Sequence, residues 1–291
     1  MTESSHKIPN IHFILPGGGV RGAFQAGFLY YLFTNYSDFF KIARIDGTSV
    51  GSMNGLCIMN GKYDILKNTW LNIESINDLF SNWSDNYVLG KYYSFYQGFY
   101  KNGLFSNEKL NIMLKDTLKE NWDNFDDKWK DKYSCAVVNV NTAKCEYING
   151  SNPKIFDFVT ASASPWIVTN PVKINDYLYS DGGLLETYPY KYLGKCNADM
   201  TLIIGYDQEH FQFLPAKNEN LLEFLATLID IARFNSHNTQ LTKEYIKRPD
   251  VISIANPMDV SFINFNKTTI LEGFSQGCEF AENFFQTYIK K

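Results

Sequence analysis

Along the chain, short apolar runs alternate with longer apolar stretches, and the alternation predicts strands and helices in turn. After a polar lead over residues 1–10, Ile11-His12-Phe13-Ile14-Leu15 is a compact apolar run suited to a buried strand. Pro16 ends it and a glycine-rich turn follows. Residues 23–33 are apolar almost throughout, as in a buried helix. Residues 41–45 predict a second strand and residues 53–59 a second helix. Strand, loop and helix thus recur as α/β units.

Further on, residues 65–71 have helical spacing. The segment 80–105 is dense in rings, with Trp83, Tyr92, Tyr93, Phe95, Tyr96, Phe99 and Tyr100 among polar residues. It reads as an insertion packed on the core, with a lipid-facing or peripheral membrane surface as the rival. Ser106 or Asn107 can cap a helix over 108–114, and the charged residues 116–132 predict a solvated helix or loop. Residues 133–140 and 144–148 predict strands joined by a turn, and 155–162 a helix. Residues 171–183 predict two short strands about a turn at Asn175-Asp176, ending in Asp181-Gly182-Gly183. A strand over 200–206, a helix over 220–235, a strand over 251–254 and a closing helix over 272–291 complete the pattern. The rings of that closing helix read as core. No repeat or Pro-, Gly- or Ser-rich linker divides the chain, so a single domain over 11–291 is expected, with C-terminal strand and helices within 216–291.

With 291 residues, 45% of them hydrophobic, a sizeable core is affordable. The net charge of −4 argues against a nucleic-acid partner and against attraction to anionic membranes by charge alone. Five scattered cysteines without a C-x-x-C pair read as free thiols, neither a disulfide framework nor a zinc site. The first residues lack an apolar signal core, and no apolar run is long enough to span a bilayer. A cytoplasmic or peripheral membrane location is expected, with export by a route without a cleaved signal left open. Neither metal nor cofactor is expected; no calcium-ligand loop is present.

The candidate chemistry begins at Gly47-Thr48-Ser49-Val50-Gly51, between a predicted strand and a predicted helix. A serine on such a sharp turn has its hydroxyl exposed at a helix N-terminus, and small flanking residues let the neighbouring backbone approach. Ser49 therefore reads as a nucleophile. The loop Gly17-Gly18-Gly19-Val20-Arg21-Gly22 has two sharp readings. Gly17, Gly19 and Gly22 fit a dinucleotide-binding fingerprint, with Asp46 as the ribose-binding acid of an oxidoreductase. Alternatively, amides of the loop form an oxyanion hole, steadied by Arg21. Ser49, three residues past Asp46, favours the second, because a cofactor fingerprint leaves the serine motif unexplained. Asp181, at a strand end, is a candidate base. A Ser-Asp-His triad through His210 or His237 is a rival in chain order. His12 reads as a hydrogen-bonded core residue, and His6 lies in the polar lead.

Together, the glycine loop at 17–22, Gly47-Thr48-Ser49-Val50-Gly51 and Asp181-Gly182-Gly183 resemble the three motifs of the patatin-like phospholipases, in the same order. Trp70, Gly103-Leu104, Ala161-Ser162-Ala163 and Pro171-Val172 resemble secondary marks of that family, and the likeness covers about residues 11–206. Two stretches depart from it: Pro16 stands where many members carry Asp or Ser, and residues 164–170 differ from the usual Pro-Gly stretch.

The resemblance implies a three-layer α/β/α fold with a central, mostly parallel sheet. It also implies hydrolysis of phospholipid or other acyl-ester lipids by a Ser-Asp dyad without histidine or metal. By motif, Ser49 would be the nucleophile and Asp181 the general base. The amides of Gly18, Gly19 and their neighbours would form the oxyanion hole, with Arg21 beside it. Aspartate is a weak base in water, with a pKa of about 3.9, so Asp181 must be partly desolvated and within hydrogen-bond reach of Ser49. An inactive lipid-binding module and an enzyme that needs an activating protein partner are further expectations compatible with the motifs.

Overall fold

The structure, a computed structural model, describes residues 7–81, 102–206, 227–228, 231, 247–258 and 260–290. Its main elements are β1 (Asn10–Leu15), α1 (Gly22–Tyr36), β2 (Lys41–Thr48), α2 (Val50–Met59), α3 (Tyr63–Asn72), β3 (Gly103–Phe105), α4 (Glu108–Asp123), β4 (Tyr133–Asn139), β5 (Lys144–Asn149), α5 (Ile155–Ser162), β6 (Ile167–Thr169), β7 (Val172–Ile174), β8 (Tyr177–Asp181), β9 (Met200–Tyr206), β10 (Val251–Asn256) and α6 (Lys267–Phe284). His6, His210, His237, residues 82–101 of the aromatic segment and most of the expected helix over 220–235 lie outside the described residues.

β1 is apolar on both faces because it lies inside the sheet. Ile11, Phe13 and Leu15 join the main core with Phe24 and Phe28 of α1. Ile14 faces the other way, against Ile203, Tyr188 and Leu193. Covered on both sides, such a strand reads as an unbroken hydrophobic run. The sheet order is β10-β9-β1-β2-β4-β8-β7, and β5 also pairs with β4. β10, β9, β1, β2 and β4 are parallel, and β5, β8 and β7 are joined by antiparallel pairings. This is an α/β fold with a central, mostly parallel sheet flanked by helices, as the α/β units predict. Among the described residues, no helix is long and apolar enough to cross a membrane.

Two helices differ from their sequence expectations. α4 runs on through the charged stretch to Asp123 and buries Leu110, Leu114, Leu118 and Trp122. Residues four apart share a helix face, so the charges line the wet side while these four reach the core. Ser106 Oγ accepts the Glu108 amide at 3.3 Å, whereas Asn107 precedes α4 without capping it through its side chain. Its Nδ2 instead donates to Ser164 Oγ at 3.0 Å and to the Asn170 carbonyl at 2.7 Å. α6 starts earlier than expected, at Lys267, because Asn266 accepts the Thr269 amide as its cap. Its buried rings, Phe274 and Phe284, pack on α1 as expected of core residues.

The register of β4 brings two distant segments together. β5 covers one edge of β4 from Ser134 to Asn139. The opposite edge is shared: β2 pairs along it from Tyr133 to Ala136, and β8 from Val137 to Asn139. β2 is parallel to β4 and ends with Thr48 opposite Ala136, whereas β8 is antiparallel and ends with Asp181 opposite Val137. The two strand ends therefore meet head to head.

Candidate active site

Ser49 occupies the turn between β2 and α2 with φ 55° and ψ −129°. A side chain there costs on the order of 1–3 kcal/mol unless its surroundings fix it. Several contacts do so. The Ser49 amide donates to Ser162 Oγ at 2.9 Å, and the Ser49 carbonyl accepts from Ser52 N and from Ser52 Oγ. The turn also needs bare backbone beside it. A Cβ on Gly51 would stand 2.0 Å from the Leu15 carbonyl oxygen, and one on Gly47 2.5 Å from the Cα of Ser52.

Ser49 Oγ donates a 2.7 Å hydrogen bond to Asp181 Oδ2. The other carboxylate oxygen accepts the Gly183 amide at 2.7 Å, and the Asp181 amide donates to the Ser164 carbonyl at 3.0 Å. Gly182 lies so close to the Ala136 carbonyl that a Cβ would stand 2.3 Å from its oxygen. Ser49 and Asp181 are 4% and 1% exposed. The pair is thus held from both strand ends and shielded from bulk water.

The glycine loop lies alongside. Gly17 packs against Ser49, and its amide donates to the Thr187 carbonyl. Val20 N donates to the Phe262 carbonyl, Arg21 N to Gly18, and Gly22 N to Gly19. Of the six loop positions expected to form an oxyanion hole, four therefore have engaged amides. Those of Gly18 and Gly19 make no hydrogen bond among the described residues. Gly19, at φ +57°, adopts a conformation that favours glycine, and a Cβ there would stand 2.1 Å from the Phe262 carbonyl oxygen. Val50, the first residue of α2, adds an amide without a helical partner. Arg21 is buried and ties the loop down, its Nε donating to the Val260 carbonyl while its own carbonyl accepts Asn256 Nδ2.

A partly open pocket lies over Gly19, Ser49 and Asp181. Met53, Leu79, Leu110, Val168 and Phe262 are among its apolar walls. An apolar cleft with a few polar groups at its base is the usual form of a site for a mainly apolar ligand. Among the described residues, no cluster of three or more His, Cys, Asp or Glu could hold a metal ion.

Asp46 is not free to bind a ribose. It is 0% exposed and accepts hydrogen bonds from His12, Arg44 and Ser134. Gly22, which opens α1, is covered by Val50 and Trp70. The dinucleotide reading therefore loses its acid. His12 is the hydrogen-bonded core residue expected. Burial opposes its charged form, but the hydrogen bond to Asp46 and the Asp46 charge outweigh it and raise the pKa to about 9.

Ser164, which holds the Asp181 amide, and Phe262, which holds the glycine loop, carry no signal in the sequence as parts of a site. Both contribute backbone carbonyls, to which residue type gives no clue.

No curated protein matches the chain. Among solved structures, the crystal structure of VipD from Legionella pneumophila is 11% identical, with a TM-score of 0.48, over 99% of this chain and 69% of that one. The patatin-like phospholipase family model matches residues 13–193. That span holds the glycine loop, the serine elbow and Asp181-Gly182-Gly183, and it is well over half of the chain, which therefore belongs to the patatin-like phospholipases, a family of lipid hydrolases.

Proposed function

We propose that this chain is a serine lipid acyl hydrolase of the phospholipase A or lysophospholipase type, working through an acyl-Ser49 intermediate with Asp181 as general base. The observation that carries this reading is the 2.7 Å hydrogen bond from Ser49 Oγ to Asp181 at the base of an apolar pocket. Asp181 takes the Ser49 proton as Oγ attacks the ester carbonyl, and the amides of Gly18 and Gly19 stabilise the negative charge that develops on the carbonyl oxygen. Collapse expels the alcohol part of the lipid, which receives the proton. Asp181 then deprotonates a water that releases the fatty acid. No histidine, metal or cofactor takes part. One catalytic domain over 11–291, behind a polar lead over 1–10, carries out the reaction.

The test is intact-mass detection of fluorophosphonate labelling. Wild type, His210→Ala and His237→Ala should each gain one adduct, and Ser49→Ala and Asp181→Asn none. Loss of labelling in either histidine variant would replace the dyad with a triad. An unlabelled wild type that binds lipid vesicles without turnover would leave a lipid-binding module or an enzyme that awaits an activating partner.

A further inference from the structure

Ser162 sits where α5 ends, 0% exposed, 113 residues from the elbow. Its hydroxyl makes two hydrogen bonds. It accepts the Ser49 amide at 2.9 Å and donates to the Ala136 carbonyl at 2.7 Å. Ala136 pairs with Thr48, the last residue of β2. The hydroxyl therefore pins the peptide that enters the strained turn to the strand beside it. Two residues on, the Ser164 carbonyl accepts the Asp181 amide at 3.0 Å and Ser180 Oγ at 2.9 Å. Ser164 is itself fixed, its Oγ donating to the Thr160 carbonyl at 2.6 Å and accepting Asn107 Nδ2. One short turn, 162–164, thus grips both Ser49 and Asp181.

The grip on Ser49 has a chemical consequence. The Ser49 amide is directed to Ser162 and away from any developing oxyanion, which leaves the Gly18, Gly19 and Val50 amides to supply that charge stabilisation. It also resists the drift of Ser49 out of its unfavourable φ, which would carry Oγ away from Asp181.

We infer that Ser162 is a positioning residue that holds the elbow in its reactive conformation and, through the 162–164 turn, sets the distance from Ser49 to Asp181. The inference rests on Ser49 being the nucleophile. Removing the hydroxyl leaves the substrate pocket intact, since Ser162 does not line it. The loss should appear in kcat and not in KM. A displacement of about 1 Å at a reacting group can cost about a hundredfold.

The test compares wild type, Ser162→Ala and Ser134→Ala on a soluble acyl ester, with a melting curve and amide hydrogen exchange at Ser49 for each. Ser134 is an equally buried hydroxyl of β4 that bonds to Asp46 and not to the elbow. Ser162→Ala should lower kcat by about tenfold to a hundredfold at unchanged KM and speed exchange of the Ser49 amide. Ser134→Ala should lower the Tm while leaving kcat and that amide unchanged. Wild-type kcat and a still-protected Ser49 amide in Ser162→Ala would overturn the inference. So would an equal fall of kcat in both variants, which marks a general loss of stability. Failure of the nucleophile reading is seen separately, as undiminished turnover in Ser49→Ala. The Ser49 amide exchange then still reports whether Ser162 holds the elbow.

Discussion

Ser49 and Asp181 are 132 residues apart in the chain and share a 2.7 Å hydrogen bond, because the strands that carry them end opposite Ala136 and Val137, adjacent residues on one edge of β4. Backbone pairing therefore brings the two strand ends within reach of each other. Asp181→Asn keeps the shape of the side chain and the Gly183 contact but removes the proton acceptor. We expect kcat to fall by about 10²–10⁴-fold with the melting temperature nearly unchanged, as read from steady-state ester hydrolysis and thermal unfolding.

Gly51 should tolerate no side chain. A Cβ there would stand 2.0 Å from the carbonyl oxygen of Leu15 and 2.7 Å from that of Pro16, both backbone atoms at the end of a central strand. Gly51→Ala is expected to lose more than about 3 kcal/mol of stability in urea titration, beyond the usual range for overpacking, because neither neighbour can rotate away.

His12 should make stability depend on pH. Its pKa is about 9 in the folded protein against an ordinary 6.5, with Asp46 favouring the charged ring over the opposing effect of burial. The folded state binds the proton more tightly, so its contribution is fully present below pH 6.5 and is lost as pH rises through 9. His12→Gln should destabilise the protein at pH 6 and flatten the fall in stability between pH 6.5 and 9. Chemical denaturation across that range is the measurement, and an equally steep fall in the variant would show that another group is responsible.

The pocket predicts how chain length can be changed. Met53 lines it beside Val50 and is nearly buried. Met53→Trp should reduce hydrolysis of long-chain esters by about tenfold and leave butyrate ester turnover within about threefold, since only the longer chain must pass the added ring. A panel of p-nitrophenyl esters tests this, and a uniform loss across the panel would mean that the ring had disturbed Ser49 itself.

The parts of the fold that could be read in advance are those with a short-range physical signature. The run Ile11 to Leu15 is apolar on both faces because both are covered. The serine elbow needs small residues within two positions of Ser49, so the whole motif lies in one place in the sequence. Ser162 and Ser164 have no such physical signature, because their contacts reach Ser49 and Asp181 across the fold; the resemblance of Ala161-Ser162-Ala163 to a family mark says nothing of what Ser162 holds. The glycine loop was legible as a loop, but which of its amides remain available depends on carbonyls at Thr187 and Phe262. Asn107 looked like a cap by its position, whereas its amide group is taken by Ser164 and Asn170.

The tie between the glycine loop and the last third of the chain bears on how small a working enzyme could be. Asn256, Val260 and Phe262 hold Arg21 and Val20, and β9 is the neighbour of β1. All of them lie beyond residue 193, where the family match stops. A chain trimmed to that match would retain Ser49, Asp181 and the bond from Gly17 to Thr187 yet lose the contacts that fasten Val20 and Arg21. A heritable change at Asn256, which holds Arg21 through its side chain, would then register as lost turnover, although the residue belongs to no recognisable motif.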